Sequence, residues 1–214
     1  MMLIIRYGLL NFETSWVHQK TMVFIQIRKR QNKKLSIYLK HPQVYTLGHR
    51  ANKEYISFCS NNTLVNLHRV DRGGEVTYHD YGQVIIYNIT HLQKINRNVN
   101  IYIANLEQLG KRILLLYKTK STKKEKFPGI WIQQKKIVAL GIKIIQRTTF
   151  HGLSINFSCS KRNYELILAC GIKDGISVNF NEIHKKNSQN QFYWKYKIVL
   201  LIVDILAFNN IISF

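Results

Sequence analysis

The chain has 214 residues, 46% of them apolar and 20% charged, enough for one large domain or two small ones and too apolar for a disordered basic tail. Thirty-two Lys and Arg stand against 11 Asp and Glu, a formal charge of +21. Three cysteines, at 59, 159 and 170, cannot all pair with one another and none lies in a C-x-x-C spacing, which argues against a disulfide framework or a cysteine-only zinc site and points to a reducing compartment.

Met1 to Leu10 is apolar and short, with no small-residue cleavage site, and reads as a first strand rather than a targeting signal. From Phe12 to Arg28 the apolar residues Phe12, Trp16, Val23, Phe24 and Ile27 fall near helical spacing, and basic residues crowd the end that the helix dipole favours. Leu35 to Leu39 alternates as a strand. His41-Pro42 then breaks it, and a loop is expected through Tyr45-Thr46-Leu47-Gly48. Val65 to Val70 and Gln83 to Ile89 are further strands, while Val99 to Tyr117 carries Ile103, Leu106, Leu109, Ile113 and Leu116 at helical intervals. Lys118 to Lys126, with five lysines, reads as a solvated loop. Three strand-like runs follow, at Gly129 to Ile132, Ile137 to Ile145 and Thr149 to Phe157, and a helical closing third begins near Asn181.

No repeat and no linker separates two cores, so residues 1–214 are expected to form a single α/β (α+β) domain with a mixed sheet and flanking helices. The best candidate for a membrane span, Ile198 to Phe214, is interrupted by Asp204, Asn209 and Asn210, and no membrane partner is expected. The charge has two sources. The chain holds 29 Ile, 22 Lys and 19 Asn, residues with A/T-rich codons, so genome bias can supply much of the lysine. Without aromatics interleaved in a basic cluster, no nucleic-acid partner is expected, although a positive surface would steer an acidic protein toward the site.

Four segments concentrate polar chemistry. Arg72-Gly73-Gly74-Glu75-Val76-Thr77-Tyr78-His79 sets adjacent glycines, which offer N–H groups and close backbone approach, beside Arg72, Thr77 and His79. Taken alone, a glycine pair between strands is more often merely a turn. Lys136 heads the apolar run Ile137-Val138-Ala139-Leu140-Gly141 and is either a partly desolvated lysine or a surface lysine beside Lys135. His151-Gly152-Leu153-Ser154-Ile155-Asn156 places a histidine between strand-like runs, where a structural role is the simpler reading. Cys170 lies between Ala169 and Gly171 after an apolar run, where a cysteine is either buried and inert or turned out as a thiolate. Cys59 and Cys159 stand in polar Ser/Asn contexts and read as incidental.

The four motifs R-G-G-x-x-T-Y-H-x-x-G-Q, K-I-x-A-L-G, H-G-L-x-x-N and C-G, the last nineteen residues after His151, together resemble the lipoyl(octanoyl) transferase family in order and spacing. The resemblance runs from about Tyr7, through H-P-x-V-Y-T-L-G at His41 to Gly48, to the C-terminal helix. Leu67-His68-Arg69-Val70-Asp71 is most similar to cyanobacterial and plastid members. The resemblance implies a fold like the biotin/lipoate protein ligase catalytic domain. It also implies octanoyl transfer from octanoyl-acyl carrier protein, through a cysteine thioester, to a lysine of lipoyl domains in 2-oxoacid dehydrogenase complexes and the glycine cleavage H protein. By motif, the catalytic pair falls on Cys170 and Lys136. Substrate binding falls on Arg72, Gly73, Gly74, Glu75, Val76, Thr77, Tyr78 and His79, on Ala139, Leu140 and Gly141, and on Gly152, Leu153 and Ser154. Gly73, Gly74 and Gly141 are candidate oxyanion donors. No cofactor and no metal is implied. Asp80-Tyr81 stands where many members have Gly-Pro, and Ala169 where proline is usual. The rival reading is an ATP-dependent lipoate or biotin protein ligase, which would need no nucleophilic cysteine. The plastid-like motifs, the composition and the lack of a transit leader suggest a plastid stromal protein, with bacterial cytoplasm second.

Overall fold

The computed structural model describes residues 2–30, 33–58, 66–92, 98–125, 127–168 and 178–184. A strand β1 (Met2–Leu9), a helix α1 (Phe12–Arg28) and a strand β2 (Lys34–Lys40) form a β-α-β unit with the two strands parallel. Short strands β3 (Val44–Leu47), β4 (Leu67–Arg69) and β5 (Val76–His79) follow, then β6 (Gln83–Ile89). Helix α2 (Val99–Leu116) precedes β7 (Gly129–Ile132), β8 (Lys135–Ile145) and β9 (Thr148–Asn156), with short helices α3 (Lys161–Tyr164) and α4 (Phe180–His184) after them.

Six strands make one mixed sheet in the order β1-β2-β6-β9-β8-β7, antiparallel except for β1 and β2. The two long helices cover its two faces. Alternation along β6 sends Ile86 to the α2 side, with Leu106, Leu109 and Ile113, and Ile85 and Tyr87 to the α1 side, with Val23 and Phe150. That double burial is why Val84-Ile85-Ile86-Tyr87 is a continuous apolar run and why every residue of β6 is buried. Asn98 caps α2, its side chain accepting from the N–H groups of Asn100 and Ile101.

Strands β4-β3-β5 form a second, three-stranded sheet around Tyr45, Leu47, Val76, Tyr78 and Ile167. The expected loop through Tyr45-Thr46-Leu47 is therefore a strand, fully buried because it pairs with β4 on one side and β5 on the other. Helix α1 also departs from its apolar pattern. Its buried face carries Phe12, Ser15, Gln19, Val23 and Gln26, whereas Phe24, about 100° round the helix from Val23, is 60% exposed. The side chain of Gln19 accounts for this: its Oε1 accepts a 2.9 Å hydrogen bond from the backbone N–H of His151, which stands at φ 59° within β9 and sends that N–H out to the helix. The expected helical closing third is seen as α4; the residues beyond 184 lie outside the described ones. The lysine loop is largely exposed, yet Lys123 pairs with Glu107 at 3.1 Å and Lys124 stands over the Trp131 ring at 4.2 Å.

Candidate active site

The glycine motif is built around Arg72. This guanidinium is 7% exposed. It donates to the carbonyl and hydroxyl oxygens of Thr46 at 2.8 and 2.9 Å and to the carbonyls of Gly73 and Glu75 at 3.0 and 2.9 Å. It thereby ties β3 to the glycine loop and to the start of β5. The loop is tied to the main sheet as well, since Gly73 N–H donates to the Ile142 carbonyl at 2.8 Å. That bond removes Gly73 from the candidate oxyanion donors; Gly141, opposite Gly152 in the β8–β9 ladder, turns its N–H toward β9 as well, which leaves Gly74. Gly74 stands at φ 90°, and a Cβ on Gly141 would lie 2.9 Å from Arg72 Cδ, so only a bare backbone lets the arginine cross β8 there.

Next to this loop a cavity opens, with about 840 Å³ of empty space that runs out into solvent. Arg72, Gly74, Glu75, Val76, Thr77 and His79 line one side; Lys136, Ala139, Leu140 and Gly141 of β8, and Gly152, Leu153 and Ser154 of β9, line another. Thus thirteen of the described candidates meet at one cavity. Gly73 lines a neighbouring cavity instead. Tyr78 lines neither: its ring packs with Tyr45 and Leu47 and its hydroxyl accepts from Asn163 Nδ2 at 2.7 Å, because alternation along β5 turns it away. Cys170, Ala169 and Cys59 lie outside the described residues. The described chain stops at Leu168, whose N–H donates to the Tyr55 carbonyl, and resumes at Val178, whose N–H donates to the carbonyl of Lys136 itself at 3.0 Å. Cys159 is buried, and burial pushes its thiol far up, so it is an inert thiol.

Lys136 is 8% exposed, whereas Lys135 is exposed, as alternation on a strand requires. Lys136 Nζ donates to the Pro128 carbonyl at 3.0 Å and lies 4.8 Å from the centre of the Trp131 ring. Pro128 is held in turn through its neighbour, since Gly129 N–H donates to Glu107 Oε1 at 3.1 Å. Trp131, Phe12, Ile85, Tyr87 and Tyr164 also line the cavity and were not singled out by sequence. For Trp131 a signal exists: the two-residue turn Gln133-Gln134 puts Trp131 directly opposite Lys136 in the β7–β8 hairpin. Phe12 and Tyr164 arrive from distant elements and leave no local trace.

The histidines at the cavity are neutral. Burial lowers His79 to about 3, reinforced by nearby His41, although its bond to Gln83 opposes this. Gln83 Nε2 donates to the Tyr78 carbonyl and to Asn156 Oδ1, so its Oε1 accepts from His79 Nδ1–H at 2.8 Å. Nε2 of His79 therefore carries a lone pair. His151 is also lowered by burial, partly offset by Asp71, whose Oδ1 accepts from His151 Nε2 at 3.1 Å and from Trp16 Nε1 at 3.0 Å. The departure at Asp80 is accommodated: its two oxygens accept from Gly82 N–H and from Ser160 N–H at the start of α3, closing the β5–β6 turn.

Residues 13–192 match the family model of the lipoyl protein ligase A/B catalytic domain. An octanoyltransferase of Nostoc punctiforme is 34% identical over 172 residues, covering 80% of this chain and 75% of that protein. The chain belongs to the octanoyltransferase family. A chloroplastic octanoyltransferase of Arabidopsis thaliana is 32% identical over 171 residues, 78% of this chain and 61% of that protein. Solved structures agree on the fold of this octanoyltransferase. The P. falciparum LipL1 structure in complex with lipoate matches with TM-score 0.67 at 14% identity over 98% of this chain and 63% of that one. A bi-partite lipoate protein ligase of Thermoplasma acidophilum matches with TM-score 0.66 at 12% identity over 97% and 85%. No helix among the described residues is long and apolar enough to cross a membrane.

Proposed function

We propose that this octanoyltransferase works through an acyl-enzyme on Cys170, with Lys136 as its acid and base. The enzyme is an acyltransferase of protein lipoylation, taking octanoyl from an acyl donor to lipoyl-domain acceptors; the octanoyltransferase reading stands on 34% identity to a named transferase, against a likeness of fold alone to the ligases. The finer reading takes octanoyl-acyl carrier protein as donor and the lipoyl domains of 2-oxoacid dehydrogenase complexes and the H protein as acceptors. The plastid stroma is the compartment favoured by the cyanobacterial and chloroplastic relatives.

In the first half-reaction the Cys170 thiolate attacks the donor's thioester carbonyl. The new C–S bond forms as the carrier's C–S bond breaks, and the carrier thiolate leaves with a proton from the Lys136 ammonium. In the second, a neutral acceptor amine, its first proton lost to solvent, attacks the cysteine thioester. The amide forms, its remaining surplus proton passes to Lys136 and the Cys170 thiolate is regenerated. The backbone N–H of Gly74 is the candidate donor to the tetrahedral oxyanion in both steps. The apolar walls at Ile85, Tyr87 and Leu153 suit the acyl chain, at about 0.8 kcal/mol per buried methylene.

The observation that carries this reading is a buried lysine set into the wall of a largely apolar cavity, with the chain on the far side of Cys170 bonded back to that lysine's carbonyl. The test is an intact mass after mixing the protein with octanoyl-acyl carrier protein in the absence of ATP. An octanoyl adduct that Cys170→Ser removes, and that Cys159→Ala leaves, is expected. Acyl transfer that requires ATP and forms no adduct would instead select the ligase.

A further inference from the structure

The buried polar groups that lack partners lead to one residue at the site. Among the described residues, Glu75 Oε2 is buried and accepts no hydrogen bond. Its other oxygen is only loosely engaged, 3.7 Å from Nε of the largely exposed Arg50. The backbone holds this carboxylate where it is, because the Glu75 carbonyl accepts from both Arg72 Nη2 and Gly48 N–H. A desolvated carboxylate oxygen without a donor is costly, and such a group in a cavity wall asks for a cationic or N–H partner.

Glu75 stands where two cavities meet. The first is the one described above. The second is an open cleft, about 1000 Å³ of empty space that runs out into solvent; Ile103, Leu106, Phe127, Pro128 and Ile142 give it an apolar sleeve, and Arg50 stands on its lining beside Glu75. Gly74, Glu75, Lys136, Leu140 and Gly141 belong to both. An apolar sleeve ending at a carboxylate and a second lysine matches a lysine side chain: four methylenes along the wall, an ammonium at the end. It does not match the donor's arm, whose phosphate and acidic carrier a carboxylate would repel.

We propose that Glu75 receives the ammonium of the acceptor lysine, which enters through the second cavity and meets the acyl group beside Lys136. This rests on the acyl-transfer reading for the identity of the acceptor. It assigns the two substrates to different cavities and makes Glu75 the residue that selects a cationic side chain.

The test is a binding cycle that needs no turnover. An unmodified lipoyl domain, and the same domain with its acceptor lysine replaced by glutamine, are titrated calorimetrically into wild type, Glu75→Gln and Glu75→Asp at low salt. Wild type should bind the lysine form about tenfold more tightly than the glutamine form, a comparison that involves no change to the enzyme. Glu75→Gln should erase that preference and leave the glutamine form within about twofold, whereas Glu75→Asp, which keeps the charge, should retain most of it. Equal affinity of wild type for the two domains, or an equal loss for both in Glu75→Gln, would overturn the assignment. Failure of the acyl-enzyme reading shows elsewhere, as the absence of an octanoyl adduct on wild type.

Discussion

Lys135 and Lys136 are adjacent in the chain and face opposite ways, so the pair provides its own control. Lys136→Ala removes a cation from a desolvated wall and should slow alkylation of Cys170 near neutral pH, because a neighbouring cation favours the thiolate. Lys136→Arg keeps the charge, so alkylation should stay near the wild-type rate, but it can neither readily release a proton nor take one up, so acyl-enzyme formation should slow and amide formation should stall. Lys135→Ala, on the exposed face, should match wild type in both alkylation rate and turnover. The thiolate's reactivity and the two proposed half-reactions can be read separately, by iodoacetamide labelling and by intact mass over time. Sensitivity at Lys135 with indifference at Lys136 would move the acid/base assignment by one residue.

At the scale of elements, the β7–β8 hairpin presents Lys136, and Glu107 of α2 anchors that hairpin from behind. Its two oxygens hold Gly129 N–H and Lys123 Nζ. Glu107→Ala should leave the glycine N–H buried without an acceptor, at a cost of about 1–3 kcal/mol, or roughly 2–10 °C in Tm for a domain of this size. A melt unchanged within 1 °C or so would mean that the hairpin is held by its strand pairing alone. This anchor could not be read from sequence, since nothing in Leu106-Glu107-Gln108 distinguishes a solvated glutamate from a buried one. What could be read was local: the span of α1, the long strands, and the cluster of motifs that meet at the cavity. What escaped was non-local. Strand β3 hid behind His41-Pro42 because four buried residues owe their state to two partners far along the chain, and β5 hid inside a glycine motif that looked like a turn. The expectation for Phe24 failed because a polar side chain, Gln19, was needed on the core side of α1. Tyr78 shows the same limit at one residue: its neighbours in the motif line the cavity, and only the pleat of β5 turns its ring away.

For the molecule as a whole, the aromatic and histidine cluster between α1 and the two sheets sets an acid limit. Burial lowers His41 to about 4 and His79 to about 3, whereas in the unfolded chain both take up protons near the model-peptide value of about 6.5. As pH falls below that value the unfolded state binds more protons than the folded one, and stability declines by about 1.4 kcal/mol per pH unit for each histidine. The loss should continue to about pH 4 for His41 and about pH 3 for His79. Urea melts between pH 7.5 and 4.5 should therefore show a falling midpoint. His41→Asn should reduce the slope by about one proton's worth. A midpoint flat from pH 7.5 to 4.5 would mean that these rings are hydrated or charged in the folded protein.

The hydrogen bond from His151 to Gln19 has a consequence for how the gene can drift. Every glutamine codon is one base change from a lysine codon. At an exposed glutamine such a change is tolerated. At position 19 it would replace the acceptor to which the His151 N–H is bonded with a cation, in a site that is 0% exposed. Gln19→Lys should cost about 3–5 kcal/mol by chemical denaturation, from an uncompensated buried charge. Gln19→Leu, a better core residue by hydrophobicity, should still cost about 1–3 kcal/mol for the orphaned N–H. On one turn of the first helix, a single base change thus separates a bonded core amide from a buried charge.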